Sequence, residues 1–253
     1  MAGRDEDRLA DLNDAFRDPG VRAVIAIRGG AGAYRIADHL DMDAVRADPK
    51  PLIGFSDITY LHLALLARAG VGAIHGCLVG PTATATVQQL LMSSDPLEVM
   101  ADPDAVSAGV MMPGTARGRL VGGNLTALAT SVGVRMPSMV GAILFLEDQK
   151  LVGLGTVDRQ LTQLITSGAL EGLVGVAIGS FEEFRGHVDR GWTLADVLSD
   201  RLCGLGVPVL GGLAAGHGLT TPSGQLDQTA LALGAMTTLD VAAGTVTQEA
   251  LSS

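Results

Sequence analysis

Apolar residues recur at steps of three and four near the start of the chain. Leu9, Leu12 and Phe16 share one face of an otherwise charged stretch, which predicts a helix over Asp5 to Phe16. The period then shortens. Val21 to Ile27 is a brief apolar, β-branched run that predicts a buried strand, ended by Arg28-Gly29-Gly30-Ala31-Gly32. Pro51 to Phe55 predicts another strand. Asp57 to Ala69 is apolar nearly all round, the mark of a buried helix, and Gly70 stops it. Val71 to Ile74 follows as the next strand. Strands alternating with helices predict an α/β fold with a parallel sheet.

From Pro81 to Gly118 the composition turns to Thr, Ser, Pro and Asp with two modest helical patches, which predicts a connection between domains. Apolar strand patterns return at Val140 to Leu146, Leu173 to Ile178 and Val207 to Leu210. Helices are predicted between them at Asn124 to Val132, Val157 to Thr166, and Leu194 to Leu205 with Thr193 as N-cap. Leu226 to Gln248 alternates like two or three antiparallel strands around turns at Gly234 and Gly244. The expected organisation is a parallel-sheet N-terminal domain over 1–85, a connection over 86–117, and a mixed α/β C-terminal domain over 118–253.

Composition narrows the function classes. A hydrophobic share of 47% in 253 residues supports a full core, and a net charge of −10 argues against nucleic acid and anionic membrane as partners. The acidic start Arg4-Asp5-Glu6-Asp7 is unlike a signal peptide, and no apolar run approaches the ~18 residues of a membrane span. Cys77 and Cys203 are too few for a disulfide framework and fit small buried hydrophobes in a reducing compartment. The location expected from these features is the cytoplasm.

The stretch Lys50-Pro51-Leu52-Ile53-Gly54-Phe55-Ser56-Asp57-Ile58 is the most informative. A strand runs into a serine and a helix starts at once, the setting in which a sharp turn projects a nucleophilic hydroxyl. The helix start behind Ser56 supplies free N–H groups, with that of Asp57 placed to stabilise an oxyanion. A plain N-cap is the competing account of Ser56, and Ile58 stands where a G-x-S-x-G elbow has its second glycine. The Gly29 to Gly32 turn is neither G-x-G-x-x-G nor a P-loop. It is either an ordinary strand-to-helix turn or a source of a second oxyanion donor.

A serine nucleophile needs a base and the base an orienting acid. Of five histidines, His39 and His187 lie in polar segments and His62 within a helix. His75, at a strand end, and His217, in the loop Gly211 to Gly218, remain as bases. Glu147 and Asp148 both follow the run Gly141 to Leu146, so either carboxylate could be the acid. There is no H-E-x-x-H or H-x-x-E-H zinc pattern and no S-x-x-K.

Together these segments resemble the LD-carboxypeptidase family, also called muramoyltetrapeptide carboxypeptidases, which includes the microcin immunity peptidases. The matching stretches, in order, are Asp11 to Phe16, Arg28-Gly29-Gly30, Gly54 to Asp57, His75-Gly76, Gly122 to Leu125, Phe145 to Asp148, Asp158 to Leu164 and Gly216-His217-Gly218. The resemblance implies a triad of Ser56, Glu147 and His217, oxyanion donors at the backbone of Asp57 and Gly30, and a site in the cleft between the domains. It implies a metal-free, cofactor-free serine peptidase, a cytoplasmic homodimer. Its implied reaction releases terminal D-alanine from murein tetrapeptide by cutting an L–D amide bond during peptidoglycan recycling. A free carboxylate suits an arginine, so Arg28 and Arg159 are candidates for holding substrate, with Asn124 of the Gly122 to Leu125 motif beside them.

Two features depart from the family pattern. Members usually begin with a strand and further structure before the first helix; a missing strand–helix–strand unit would be about 30 residues or more, from a wrongly called start, a fragment or a naturally short protein, and the N-terminal sheet is expected to be incomplete, with an unpaired edge. Ala31 stands where a tyrosine is usual. The rival readings are a microcin-immunity-like peptidase cutting a peptidyl-nucleotide amide, an α/β-hydrolase esterase, which Ile58 disfavours, and a non-catalytic remnant.

Overall fold

The computed structural model describes residues 2–149 and 153–251. Helix α1 (Asp5–Arg17) carries Asp5, Glu6 and Asp7 in its first turn, where the N-terminal dipole favours them, and buries Phe16. Strands β1 (Val24–Ile25), β2 (Leu52–Gly54) and β3 (Ala73–His75) run parallel. Between them lie short helices α2 (Ala33–Ile36) and α3 (Met42–Ala47), a 3-10 turn at Ser56–Ile58, and α4 (Thr59–Ala69). Helix α4 is buried from Thr59 to Leu65 and ends on left-handed Gly70, as its pattern predicts.

The run Val21 to Ile27 is a correction. Only Val24 and Ile25 are strand, and they pair with β2 alone. With no strand on its outer side among the described residues, Ile25 stays 46% and Ile27 98% exposed, so this is an edge strand and not a buried one. The stretch 86–117 also holds more structure than a connection. Helix α5 (Pro81–Met92) ends inside it, and β4 (Leu97–Met100) and β5 (Met111–Met112) lie at the two edges of the second sheet.

That sheet has eight strands, in the order β4, β12 (Thr245–Gln248), β11 (Met236–Asp240), β6 (Thr115–Asn124), β7 (Ala142–Glu147), β8 (Gly175–Ile178), β9 (Val209–Leu210), β5. Its β6 to β9 centre is parallel and its flanks are antiparallel. Helices α6 (Leu125–Ser131), α7 (Leu154–Thr166) and α8 (Leu194–Leu202) cover one face, with α8 closed by a full capping box of Thr193 and Asp196.

The alternation along β7 decides how the two sheets meet. Leu144 and Leu146 point into a core with Leu128, Leu161 and Leu198 of the helices. Ile143 and Phe145 point the other way, into a core shared with Ile53 and Ile74 of the first sheet. Strand β10 (Leu231–Leu233) crosses over to pair antiparallel with β3, so residues late in the chain complete the first sheet. Gly54 at the end of β2 pairs with His75 at the end of β3, which stands 3.9 Å from Glu147 at the end of β7, so these strand ends meet.

Candidate active site

Ser56 sits where β2 gives way to the 3-10 turn, with φ of 63°. A side chain in the left-handed region costs roughly 1–2 kcal/mol, and such strain persists only where its surroundings hold it. Here the glycine loop does so. A Cβ at Gly29 would lie 2.7 Å from the Ser56 Cβ, so only glycine permits this approach. The Ala33 N–H donates to Asp57 Oδ2 at 2.8 Å, tying the loop to the serine turn. Arg28, Gly29, Gly30, Asp57 and Ile58 line a cavity of about 290 Å³ beside Ser56.

Glu147 ends β7 fully buried, and its Oε2 accepts twice from one residue: His217 Nδ1 lies 2.6 Å away and the His217 backbone N–H 3.1 Å. The Phe55 ring, next to Ser56 in the chain, is 5.0 Å from the imidazole. Burial pulls the His217 pKa down, but the hydrogen bond and charge of Glu147 outweigh it and leave it above 6.5. A buried carboxylate thus fixes the ring by Nδ1 and leaves Nε2 for proton transfer.

The loop carrying His217 is pinned from several sides. Gly216, at φ 117°, donates its N–H to Gln228 Oε1 at 2.9 Å, and a Cβ there would fall 2.6 Å from Glu147 Oε2. The Ser180 hydroxyl donates to the His217 carbonyl. Asp148 is turned away from the histidine. Its oxygens accept from Asn124 Nδ2, from the Thr126 N–H and hydroxyl, and from the Gln149 N–H, anchoring the start of α6.

The chain matches the LD-carboxypeptidase N-terminal domain over residues 1–76 and the LD-carboxypeptidase C-terminal domain over 117–239. A murein tetrapeptide carboxypeptidase of Pseudomonas aeruginosa is 33% identical over 233 residues, covering 86% of this chain and 74% of that one. This chain belongs to the LD-carboxypeptidase family. It is accordingly a hydrolase of the peptidase class. The crystal structure of muramoyltetrapeptide carboxypeptidase from Oxalobacter formigenes superposes with a TM-score of 0.82 at 28% identity, over 98% of this chain and 84% of that one. An MccF-like protein of Bacillus anthracis shares the fold, with a TM-score of 0.84 at 24% identity over 99% of this chain and 82% of that one.

Within this family member, Glu147 holds His217, whose imidazole lies 5.0 Å from the ring of Phe55, the neighbour of Ser56 in the chain, and Asp57 and Gly30 line the cavity next to that serine. The substrate candidates are spread more widely. Arg28 is exposed on the cavity wall. Asn124 is buried, its Oδ1 capping α6 at the Ala127 N–H and its Nδ2 donating to Asp148. Arg159 lies on the exposed face of α7 and donates to Thr156 Oγ1. Sequence reading did not find Gly29, Gly216, Ser180 or Gln228 as supports of the site. The glycines carried a signal, since each adjoins a candidate residue or its loop. For Gln228, twelve residues from the N–H it binds, the pattern carried none.

Proposed function

We propose that this chain is a metal-independent serine LD-carboxypeptidase that removes terminal D-alanine from murein tetrapeptide in peptidoglycan recycling, working in the cytoplasm as a homodimer. The observation that carries the proposal is a serine held in a left-handed turn, next in the chain to a Phe55 ring that lies 5.0 Å from a histidine whose Nδ1 is held by a buried carboxylate.

In this mechanism Ser56 Oγ attacks the carbonyl carbon of the L–D amide while His217 Nε2 takes its proton. Glu147 Oε2 steadies the imidazolium that forms. The backbone N–H groups of Asp57 and Gly30 receive the charge developing on the carbonyl oxygen. The tetrahedral intermediate collapses as His217 returns the proton to the amine, which leaves as D-alanine. Water, deprotonated by His217, then attacks the acyl-serine ester and restores the Ser56 hydroxyl. Arg28, exposed on the cavity wall, is a cation available to the substrate's terminal carboxylate.

The test is incubation with L-Ala-γ-D-Glu-meso-diaminopimelate-D-Ala under metal chelator, with free D-alanine read by mass spectrometry and Ser56→Ala in parallel. Release by the parent alone supports nucleophile, bond and metal independence together. An aminoacyl sulfamoyl nucleoside is the comparison substrate, because the microcin C7 self immunity protein MccF, which shares the fold, has been solved in complex with aspartyl sulfamoyl adenosine. Turnover of that amide and none of the muropeptide would reassign the substrate class.

A further inference from the structure

Behind the triad lies a second histidine that the mechanism above does not use. His75 closes β3 with its side chain fully buried, and its Nε2 stands 3.9 Å from Glu147 Oε1. Both of its ring nitrogens, and Glu147 Oε1, lack a hydrogen-bond partner among the described residues. The other carboxylate oxygen is taken up by His217. Two buried polar groups therefore face each other unpaired, an arrangement proteins rarely leave standing.

The surroundings hold the ring in this orientation. His75 packs edge-on against Phe145 at 5.1 Å, Phe55 at 6.2 Å and His62 at 6.5 Å. The titratable groups around it are Glu147 from β7, His62 from α4 and His217 from the loop opposite. Burial keeps His75 neutral, its pKa well below 6.5. A neutral imidazole carries one N–H, and Nε2 is the nitrogen that faces the carboxylate.

We propose that His75 is a positioning residue of the triad, donating Nε2–H to Glu147 Oε1 so that Oε2 stays aimed at His217. The 3.9 Å separation exceeds bonding range by about 1 Å. Such bonds are commonly long in ligand-free sites and tighten when substrate binds. A neutral donor suits the position, because a second cation on Glu147 would compete with the imidazolium of His217. The proposal rests on the triad reading above, and its test has an arm that needs no substrate.

His75→Phe keeps a flat ring for the aromatic packing and removes the donor. His75→Gln places an amide N–H near the position of Nε2, while His75→Asn places it nearer Nδ1, short of Glu147. The expected result is a kcat loss of about 10–100-fold in His75→Phe, the usual size for an outer partner of a site, with KM within about threefold. His75→Gln recovers most of kcat and His75→Asn does not. The substrate-free arm follows the His217 Nδ1 proton in histidine-labelled protein by NMR: its downfield resonance moves or broadens in the Phe and Asn variants and holds its place in the Gln variant.

Parental kcat and an unmoved resonance in folded His75→Phe overturn the proposal. Equal loss in the Gln and Asn variants also overturns it, and that pair decides the matter if the Phe variant does not fold. If the parent releases no D-alanine, the substrate reading fails while the resonance still tests His75.

Discussion

At the residue scale, two side chains show how conformation and charge serve the chemistry. Ser56 at φ 63° adopts a backbone that glycine takes without penalty. Ser56→Gly is therefore expected to be about 1 kcal/mol more stable than Ser56→Ala in chemical denaturation, both being inactive. Equal stability of the two would mean that the turn is relaxed. For Glu147, Glu147→Gln removes the charge that raises the His217 pKa and misdirects its tautomer, so kcat should fall by about 10⁴-fold. The free-enzyme kcat/KM of the parent should rise with pH through a value above 6.5, because His217 must be neutral to act as base. In Glu147→Gln that limb should move to lower pH. A limb that stays in place would separate it from His217.

At the scale of elements, the strand ends and the loops after them set the geometry. Gly216→Ala would drive a Cβ to within 2.6 Å of Glu147 Oε2 and force a side chain at φ 117°. The expected outcome is a kcat loss of at least about 100-fold with the circular dichroism spectrum unchanged, since small misplacements in a triad are amplified in rate. Thr193→Ala, which removes the capping box of α8 far from the chemistry, should cost about 1 kcal/mol of stability and leave kcat alone. The same scale shows what was legible in sequence. Helix α4, the Gly70 stop, the Thr193 cap and the turns at Gly234 and Gly244 all follow from local period and local conformational preference. The ten-residue β6 did not, although it lies at the centre of its sheet. Its glycines weaken any strand pattern, yet tertiary contact demands them: a Cβ at Gly122 would strike the Phe145 carbonyl and one at Gly123 the Thr59 side chain.

At the scale of the whole molecule, burial of neutral histidines makes the fold sensitive to acid. Burial pushes His62 down to about 3, with only part of that offset by the Leu52 carbonyl, and holds His75 well below 6.5. Unfolded, both would bind protons below about pH 6.5, so stability should fall steadily as pH drops from there towards 3. His217 acts in the opposite sense: its raised pKa contributes stability below 6.5 that is lost as pH rises through its folded value. Two groups outweigh one, and urea midpoints at pH 7, 5 and 4 should decline, less steeply in His62→Leu.

The α/β class, most of the element positions and the short set of residues able to do acyl chemistry are legible along the chain, because periodicity, caps and turn residues act over a few positions. The choice between His75 and His217, or between Glu147 and Asp148, is not legible in local pattern and rests on the family resemblance alone, since neighbours in sequence look alike until a sheet assigns each a face and an end. Folding gives each of them a different place. The β7 terminus points Glu147 into the cleft and Asp148 to the start of α6, the His217 loop folds back onto Glu147 Oε2, and His75 is left buried against Oε1. The His217 pairing spans 70 residues of chain, a distance over which only packing brings groups together.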